Sequence, residues 1–272
     1  MNNYWSIHSD AIAAVQAKFE HAYKSGPVED ASRSGLNIQK YNNAAIVQVK
    51  GPIIKDAGWL AYYGFAGSRE TLVALESAAA DEEIENIVMV MDTPGGSVDG
   101  LAELGDAIYR INQTKPITVH IDGMLASAGY YIAAGASAIY ANRMDLIGSI
   151  GTRIMLYDYS EYFSELGIKA IPIDTGEHKS AGAEGTEITE AQQAEFQRIV
   201  DGYFEDFMSV INRGRTIDDL ESLADGRVFF AEEAVKSGLI DGIKSIDETL
   251  KQTQPMQSTR KARARLKNLT FA

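Results

Sequence analysis

The sequence predicts an α/β fold in which helices cover a mainly parallel sheet. Short apolar runs typical of buried strands alternate with segments of helical periodicity along most of the chain. The links between these segments are short, which favours parallel pairing and right-handed crossovers. The predicted strands cover residues 44–49, 86–92, 117–121, 138–141 and 169–173, with short extended elements at 227–230 and 238–241.

Helices are predicted where apolar residues recur at intervals of three and four. The longest begins at Thr189, which forms a capping box with Gln192. Its predicted apolar face comprises Phe196, Val200, Phe204, Phe207 and Ile211. Further helices are predicted at residues 11–23, 68–80, 97–113 and 158–166, from Ser127 onward, after Phe230 and up to Lys251.

Charge and patterning divide the 272 residues into three parts. Residues 1–43 are predicted to form a helix and a polar linker, residues 44–251 the α/β domain, and residues 252–272 a basic tail. The tail contains five basic residues, so the rest of the chain has 20 basic against 38 acidic residues, a net charge of −18. This acidic body argues against nucleic acid as the main partner.

The chain has no cysteine, which excludes disulfides and a thiolate nucleophile and fits a reducing compartment. No apolar run approaches the roughly 20 residues of a membrane-spanning helix. The first residues also lack the basic start of a secretion signal. We therefore expect a cytoplasmic protein without a transmembrane segment.

Ser127 is the candidate nucleophile, because its neighbours Ala126, Ala128 and Gly129 leave almost no side-chain bulk around its hydroxyl. Earlier in the chain, residues 93–96 (Thr-Pro-Gly-Gly) follow a predicted buried strand. A glycine pair can aim bare N–H groups at a ligand. A serine and a donor loop are two halves of an acyl-transfer site.

A serine hydroxyl needs a base, and the residues leave three candidates open. His120 lies in a predicted strand, where a structural role is the commoner one. His178 and Lys179 are neighbours in a polar, glycine-rich loop at residues 174–187. A lysine acts as a base only where burial or a nearby cation lowers its pKa. Both a Ser–His pair and a Ser–Lys dyad are therefore compatible with these residues.

Aromatic residues are concentrated at residues 58–65, before the first long helix of the α/β domain. We expect this segment to line a substrate groove, to form a subunit contact, or to pack on its own core. Possible substrate contacts are Trp59 and Tyr62, together with Gly95. These aromatics and the small residues around Ser127 predict a site that accepts small or hydrophobic side chains.

Several segments, in this order, resemble the signal-peptide peptidase A family of serine peptidases, particularly its soluble phage and prophage members linked to capsid maturation. The resemblance runs from about Ile46 to Leu250, and the order of its segments makes it specific. Thr93 and Ala128 replace a serine and a glycine common in the family, and both changes are small. The segments are Asp92–Gly96, Leu125–Tyr131, Ile147–Gly151, Gly176–Gly182 and Gly226–Asp241.

The resemblance implies that Ser127 is the nucleophile, Lys179 the general base and Ser149 the residue that holds the lysine. It also implies an oxyanion hole formed by Gly96 and the N–H of Ala128. Gly95 is then a backbone hinge. The fold implied is the one shared by crotonases and the proteolytic subunit of Clp protease, which usually forms rings.

The expected function is therefore a serine endopeptidase that works through an acyl-enzyme without a metal or cofactor. Residues 44–251 are then the peptidase domain, its expected substrate a capsid or scaffold protein, and its expected assembly a homo-oligomeric ring. For a viral protein, the expected location is the host cytoplasm or the prohead. The alternatives are a general signal-peptide or membrane-remnant peptidase, a crotonase-like acyl-CoA enzyme, and a non-catalytic capsid or scaffold component.

Overall fold

The structure is a computed structural model, and it describes residues 5–27 and 38–252. The predicted basic tail lies outside the described residues from residue 253 onward, as does part of the predicted N-terminal linker. Within the described ranges, no helix combines the length and the apolar content needed to cross a membrane.

The secondary structure alternates between strands and helices, as predicted. The strands are β1 Trp5–Ile7, β2 Ile38–Tyr41, β3 Ala44–Lys50, β4 Ile53–Ile54, β5 Ala66–Gly67, β6 Asn86–Thr93, β7 Gly95–Ser97, β8 Ile117–Ala126, β9 Ala138–Ala141, β10 Leu146–Gly148, β11 Val228–Phe230 and β12 Gly242–Ile243. The helices are α1 Ile12–Ser25, α2 Ser68–Ala80, α3 Leu101–Asn112, α4 Ala128–Ala133, α5 Ser160–Glu165, α6 Glu190–Gly214, α7 Leu220–Leu223, α8 Ala231–Lys236 and α9 Ile246–Gln252. Within the part of the chain that the structure describes, 3₁₀ turns cover Ser9–Ala11 and Gly58–Tyr63.

The larger sheet has the strand order β11–β10–β8–β6–β3–β2, with β9 also paired to β8 and β12 to β9. Its inner strands are parallel, because β6 pairs in parallel with both β3 and β8, and β8 does so with β9 and β10. The end strands β2 and β11 are antiparallel to their neighbours. The predicted α/β fold with a mainly parallel sheet is confirmed.

The register of this sheet brings the chemistry-bearing segments together. β6 ends at Thr93, β8 at Ala126 and β10 at Gly148, and the in-register pairing places these three ends side by side. In open α/β sheets, ligands bind beyond the carboxyl ends of the strands. The segments that begin with Ser127 and Ser149 therefore share one edge with the glycine loop after β6.

A smaller sheet, in the order β1–β7–β4–β5, covers this edge. Its strand β7 contains Gly96, which pairs in parallel with Ile53 of β4. On its other side, β7 pairs antiparallel with β1, where Ser6 lies opposite Gly96. The glycine loop is therefore held between two strands.

Apolar side chains of the described residues form three clusters, and two of them hold these layers together. The main core packs α2, α3 and α4 against the larger sheet, with fully buried side chains such as Leu75, Met89 and Leu104. The second core joins α1 to the aromatic turn at residues 58–63. In the latter, the ring centroids of Phe19 and Phe65 are 4.3 Å apart.

The predicted strand at residues 169–173 is wrong, because this segment is irregular. Its alternating apolar pattern is typical of a strand, but it has no neighbouring strand in the described fold and contains Pro172, which lacks an N–H. Ile171 and Ile173 are 70% and 93% exposed. None of residues 151–189 is buried.

Other boundaries differ from the prediction for local reasons. Residues 38–41 of the predicted linker form β2, which pairs with β3. Helix α3 begins at Leu101 rather than at residue 97, because residues 95–97 form β7 and Gly100 adopts a φ of 77°. The extended element predicted at residues 238–241 lies slightly later, as β12. On α6, the predicted apolar face is fully buried only in its second half, at Phe207 and Ile211.

Candidate active site

Ser127 lies on a sharp turn between β8 and α4. Its φ of 55° and ψ of −117° belong to a region that non-glycine residues rarely adopt. Two backbone hydrogen bonds hold the turn: the Ser127 N–H donates to Gly148 O at 2.7 Å, and the Tyr131 N–H donates to Ser127 O at 2.9 Å. A strained strand-to-helix turn of this kind presents the nucleophile of α/β-hydrolases.

The Ser127 side chain lies in a cavity of about 400 Å³ and is only 1% exposed. Its Oγ is 3.4 Å from the carbonyl oxygen of Gly151. The cavity is lined by Ile7, Ser9, Ser127, Ser149, Ile150, Gly151, Thr152, Arg153, Gln197, Val200, Asp201, Phe204, Ala224, Asp225 and Gly226. Segments that are distant in sequence therefore surround the Ser127 hydroxyl.

Ser149 lines the same cavity and has a similarly unusual backbone. Its φ is 49°, and its N–H donates to Arg227 O at 2.7 Å. It directly follows β10, whose last residue pairs with Ala126, the residue before the candidate nucleophile. The two serines predicted to act together thus end neighbouring parallel strands.

The two glycines of the loop after β6 are constrained in different ways. Gly95 has a φ of 100°, and its N–H donates to Thr93 Oγ1 at 3.1 Å. A side chain on Gly96 would place a Cβ 1.9 Å from the carbonyl oxygen of Ile53. The N–H of Gly95 is therefore engaged within the loop, and Gly96 is a glycine because β4 approaches too closely for any Cβ.

Replacing Gly96 with alanine should reduce peptidase activity by about 10²-fold or more. The added Cβ forces the loop away from Ile53, which moves the candidate oxyanion N–H out of place, and losing one such donor costs about that factor. Steady-state kinetics on a peptide substrate measure the effect. Gly242→Ala is the control, because its Cβ would meet only Tyr140 at an ordinary 3.6 Å. Equal activity in the two variants would contradict the role given to Gly96.

The other predicted oxyanion donor is the N–H of Ala128, at the first position of α4. The first N–H groups of a helix have no acceptor within the helix, so this group can serve a ligand. The next residue, Gly129, packs closely on Thr93, where a Cβ would lie 2.4 Å from the threonine methyl. The methyl group of Thr93 therefore has room only because residue 129 is a glycine.

Neither candidate histidine is placed to activate Ser127. His120 is 1% exposed on β8, its Nδ1 is 3.0 Å from Thr249 Oγ1, and burial lowers its pKa. His178 is half-exposed, with its Nε2 3.0 Å from a carboxylate oxygen of Glu177. His120 is thus a structural residue, and His178 belongs to the surface.

Lys179 lies in a turn of the polar loop, where its N–H donates to Gly176 O at 3.1 Å. Its side chain is exposed. Among the described residues that line the Ser127 cavity, there is no lysine and no histidine. The carboxylates in this lining are those of Asp201 and Asp225, and Asp225 forms an ion pair with Arg227 at 2.9 Å.

The aromatic residues proposed as substrate contacts lie elsewhere. Trp59 is partly buried beneath α1, with its ring centroid 5.8 Å from that of Tyr23. Tyr62 is 62% exposed and contacts Tyr63 at 5.4 Å between centroids. Neither lines the Ser127 cavity. The aromatic turn instead packs against the N-terminal helix, as the core alternative predicted.

Several residues of the cavity were not predicted from the sequence. Ile7 and Ser9 come from the N-terminal segment, whose three-residue strand is too short to give a periodic signal. Asp201 and Phe204 come from α6, whose apolar face was predicted without a partner. For α6, the sequence signal that could have indicated the cavity is a polar residue, Asp201, beside the predicted apolar face.

Comparison with known proteins gives one family match and several relatives. The model of peptidase family S49 matches residues 110–259, a range that includes Ser127, Ser149 and Lys179. Capsid assembly protease C of Escherichia phage lambda is 25% identical over 260 residues, which cover 95% of this chain and 59% of that protein. A putative signal peptide peptidase SppA of Enterococcus faecium is 29% identical over 182 residues, covering 66% of this chain and 53% of that protein.

Two further similarities extend the comparison. The putative protease MJ0651 of Methanocaldococcus jannaschii is 27% identical over 184 residues, or 67% of this chain and 59% of that protein. The chain thus spans little more than half the length of these relatives. A solved structure of a putative enoyl-CoA hydratase/isomerase (crotonase) from Legionella pneumophila aligns with a TM-score of 0.46 and 16% identity, over 82% of this chain and 74% of that chain.

Proposed function

Because the chain belongs to peptidase family S49, we propose that it is a serine endopeptidase that hydrolyses peptide bonds through an acyl-enzyme on Ser127. The observation that carries this proposal is the strained turn of Ser127, at the same sheet edge as the glycine loop and Ser149. An uncrowded hydroxyl that faces backbone donors is what acyl transfer requires.

In the proposed mechanism, the neutral amine of Lys179 accepts the proton of Ser127 as the hydroxyl oxygen attacks the peptide carbonyl. The oxyanion that forms accepts hydrogen bonds from the N–H groups of Gly96 and Ala128. The protonated lysine then donates its proton to the leaving amine, and water attacks the acyl-enzyme in the same way. Ser149 positions the lysine by a hydrogen bond.

We propose that a second copy of the chain supplies Lys179. The side chain of Lys179 is exposed, and the described lining of the Ser127 cavity contains no lysine. Around this loop, residues 151–189 include eight exposed large hydrophobic side chains: Met155, Tyr157, Tyr159, Tyr162, Leu166, Ile168, Ile171 and Ile173. An apolar surface of this extent favours association. A homo-oligomer that buries it would place the loop of one copy against the serine of the next.

A second cavity is the proposed site for a substrate side chain. It has a volume of about 520 Å³ and shares Thr152 with the Ser127 cavity. Apolar residues such as Val98, Leu101 and Phe207 line it, and Tyr131 donates a hydrogen bond to Asp206 at 2.6 Å on one wall. The lining favours a hydrophobic side chain near the cleaved bond.

For the natural substrate, we propose a capsid or scaffold protein of a phage or prophage. The support is the similarity to capsid assembly protease C of phage lambda, which extends over 95% of this chain. The putative signal peptide peptidase SppA covers only 66%, so a signal-peptide substrate is the second candidate. An acyl-CoA enzyme would not need the hydroxyl of Ser127, so thioester turnover that survives Ser127→Ala would favour that class.

A digestion analysed by mass spectrometry tests the proposed substrate. The purified protein is incubated with a candidate capsid or scaffold protein, or with a signal peptide. The Ser127→Ala variant is treated in parallel. We expect new peptide ends in the capsid or scaffold protein with the wild type only. Cleavage confined to the signal peptide would overturn the capsid assignment, and identical products from the variant would overturn the peptidase assignment.

A further inference from the structure

The N-terminal strand β1 occupies one side of the glycine loop. It pairs antiparallel with β7, so that Trp5 lies opposite Ser97, Ser6 opposite Gly96 and Ile7 opposite Gly95. The His8 N–H extends this ladder by donating to Pro94 O at 2.7 Å. The other side of β7 is already filled by β4. The edge covered by β1 is therefore the one edge of β7 that another strand can use.

This pairing engages the candidate oxyanion donor. Hydrogen-bonded pairs alternate along an antiparallel ladder. Because the His8 N–H bonds to Pro94 O, the next hydrogen-bonded pair is Ser6 with Gly96. The Gly96 N–H is thus directed at the carbonyl oxygen of Ser6, and not at open space. A substrate carbonyl that needs this N–H must compete with the chain's own backbone.

The same segment also reaches into the cavity that holds the nucleophile. Ile7 is 5% exposed and, like Ser9, lines the cavity together with Ser127. Ile7 also belongs to the second core, in which Phe19 of α1 packs on Phe65. The segment is therefore anchored by a helix on one side and inserted beside the reactive hydroxyl on the other.

We propose that residues 5–9 are an autoinhibitory segment that lies where an extended peptide substrate binds, so that cleavage requires its displacement. Extended peptides commonly bind by adding a strand to an open sheet edge, and β1 already makes this kind of contact. The apparent substrate affinity is then the intrinsic affinity multiplied by the fraction of molecules in which β1 is displaced. This inference depends on the proposed peptidase function, and its test separates the two.

A disulfide that locks β1 in place tests the segment directly. The chain has no cysteine, so Trp5→Cys with Ser97→Cys introduces a single pair. These positions face each other as a non-hydrogen-bonded pair, the kind in which side chains approach most closely. Oxidised glutathione forms the bond by accepting the two thiol hydrogens, and dithiothreitol reverses it. We expect the oxidised double variant to cleave peptides at least tenfold more slowly than the same protein after reduction.

A single backbone change tests the opposite direction. His8 has a φ of −62°, which proline also adopts, so His8→Pro keeps this backbone angle while it removes the N–H donor to Pro94. Loss of one ordinary hydrogen bond should unseat β1 and raise kcat/KM about fivefold. His8→Ala is the matched control, because it retains the N–H, and its rate should remain below that of His8→Pro.

The outcomes separate the two proposals. Slow cleavage when locked, restored by reduction, together with a faster His8→Pro enzyme, supports the autoinhibitory segment. Equal Ser127-dependent cleavage by the locked and reduced forms overturns this inference and leaves the peptidase proposal intact. If no form cleaves any peptide, or if Ser127→Ala cleaves as fast as the wild type, the proposed function itself fails, and the inference fails with it.

Discussion

Replacing Ser127 with alanine is expected to lower kcat/KM for a peptide substrate by about 10⁴-fold or more. The change removes the oxygen that forms the acyl-enzyme, and comparable nucleophile deletions in serine peptidases have effects of this size. The backbone of the turn should survive, since its hydrogen bonds use the N–H and carbonyl of residue 127 and not the side chain. Any remaining rate would come from substrate binding and the oxyanion donors. Steady-state kinetics at matched enzyme concentrations measure the loss.

The matched control for this prediction is Ser77→Ala. Ser77 is an exposed serine of α2 whose hydroxyl donates to Val73 O at 2.7 Å, away from the Ser127 cavity. We expect this variant to retain the wild-type rate. Thermal unfolding monitored by circular dichroism should show that both variants remain folded. A Ser127→Ala enzyme with more than a tenth of the wild-type rate would contradict the assignment of the nucleophile.

Replacing Lys179 with alanine is expected to reduce the rate nearly as much, because the hydroxyl of Ser127 then has no base. Lys169→Ala is the control, since Lys169 is also exposed and lies in the irregular segment before the polar loop. The informative experiment mixes two inactive proteins, Lys179→Ala and Ser127→Ala, after dissociation and reassembly. If the lysine comes from a neighbouring copy, random assembly of equal amounts should restore about a quarter of the wild-type rate.

The mixture distinguishes two arrangements of the same dyad. A site made by residues of one chain stays dead in every mixed assembly, because no single chain then has both groups. Recovered activity would establish that the serine and the lysine meet between copies. Full activity of Lys179→Ala alone would show that another residue is the base, and Asp201, which lines the cavity, would be the next residue to replace.

The main elements of the fold could be predicted because they are long and strongly patterned. The buried strand β6 reads as an unbroken apolar run, and α6 opens with a capping box that forms as predicted. The predicted strand at residues 169–173 failed because local alternation describes a strand only where a partner strand exists. Conversely, β1 and β7 are three-residue strands created by tertiary pairing, and their sequences carry no periodic signal.

Some residues of the candidate site could be predicted from the sequence, and others could not. The small neighbours of Ser127 and the double glycine at residues 95–96 are local features, so sequence patterns reveal them. The alternation of strands and helices favours parallel strands. Parallel pairing in turn places the Ser127 turn, the glycine loop and Ser149 at the same edge of the sheet. The position of Lys179 could not be derived in this way, because it depends on a loop outside the core. Its role as the base stays a prediction.

The most direct measurement is covalent labelling of the intact protein with a serine-reactive fluorophosphonate, followed by peptide mapping. An activated serine is modified by such reagents, whereas ordinary serines are not. We predict one adduct, on the peptide that contains Ser127, with peptidase activity lost in proportion to labelling and no adduct in Ser127→Ala. Full peptidase activity in a protein whose labelled serine lies elsewhere, or whose Ser127 stays unmodified after prolonged incubation, would contradict the acyl-enzyme mechanism.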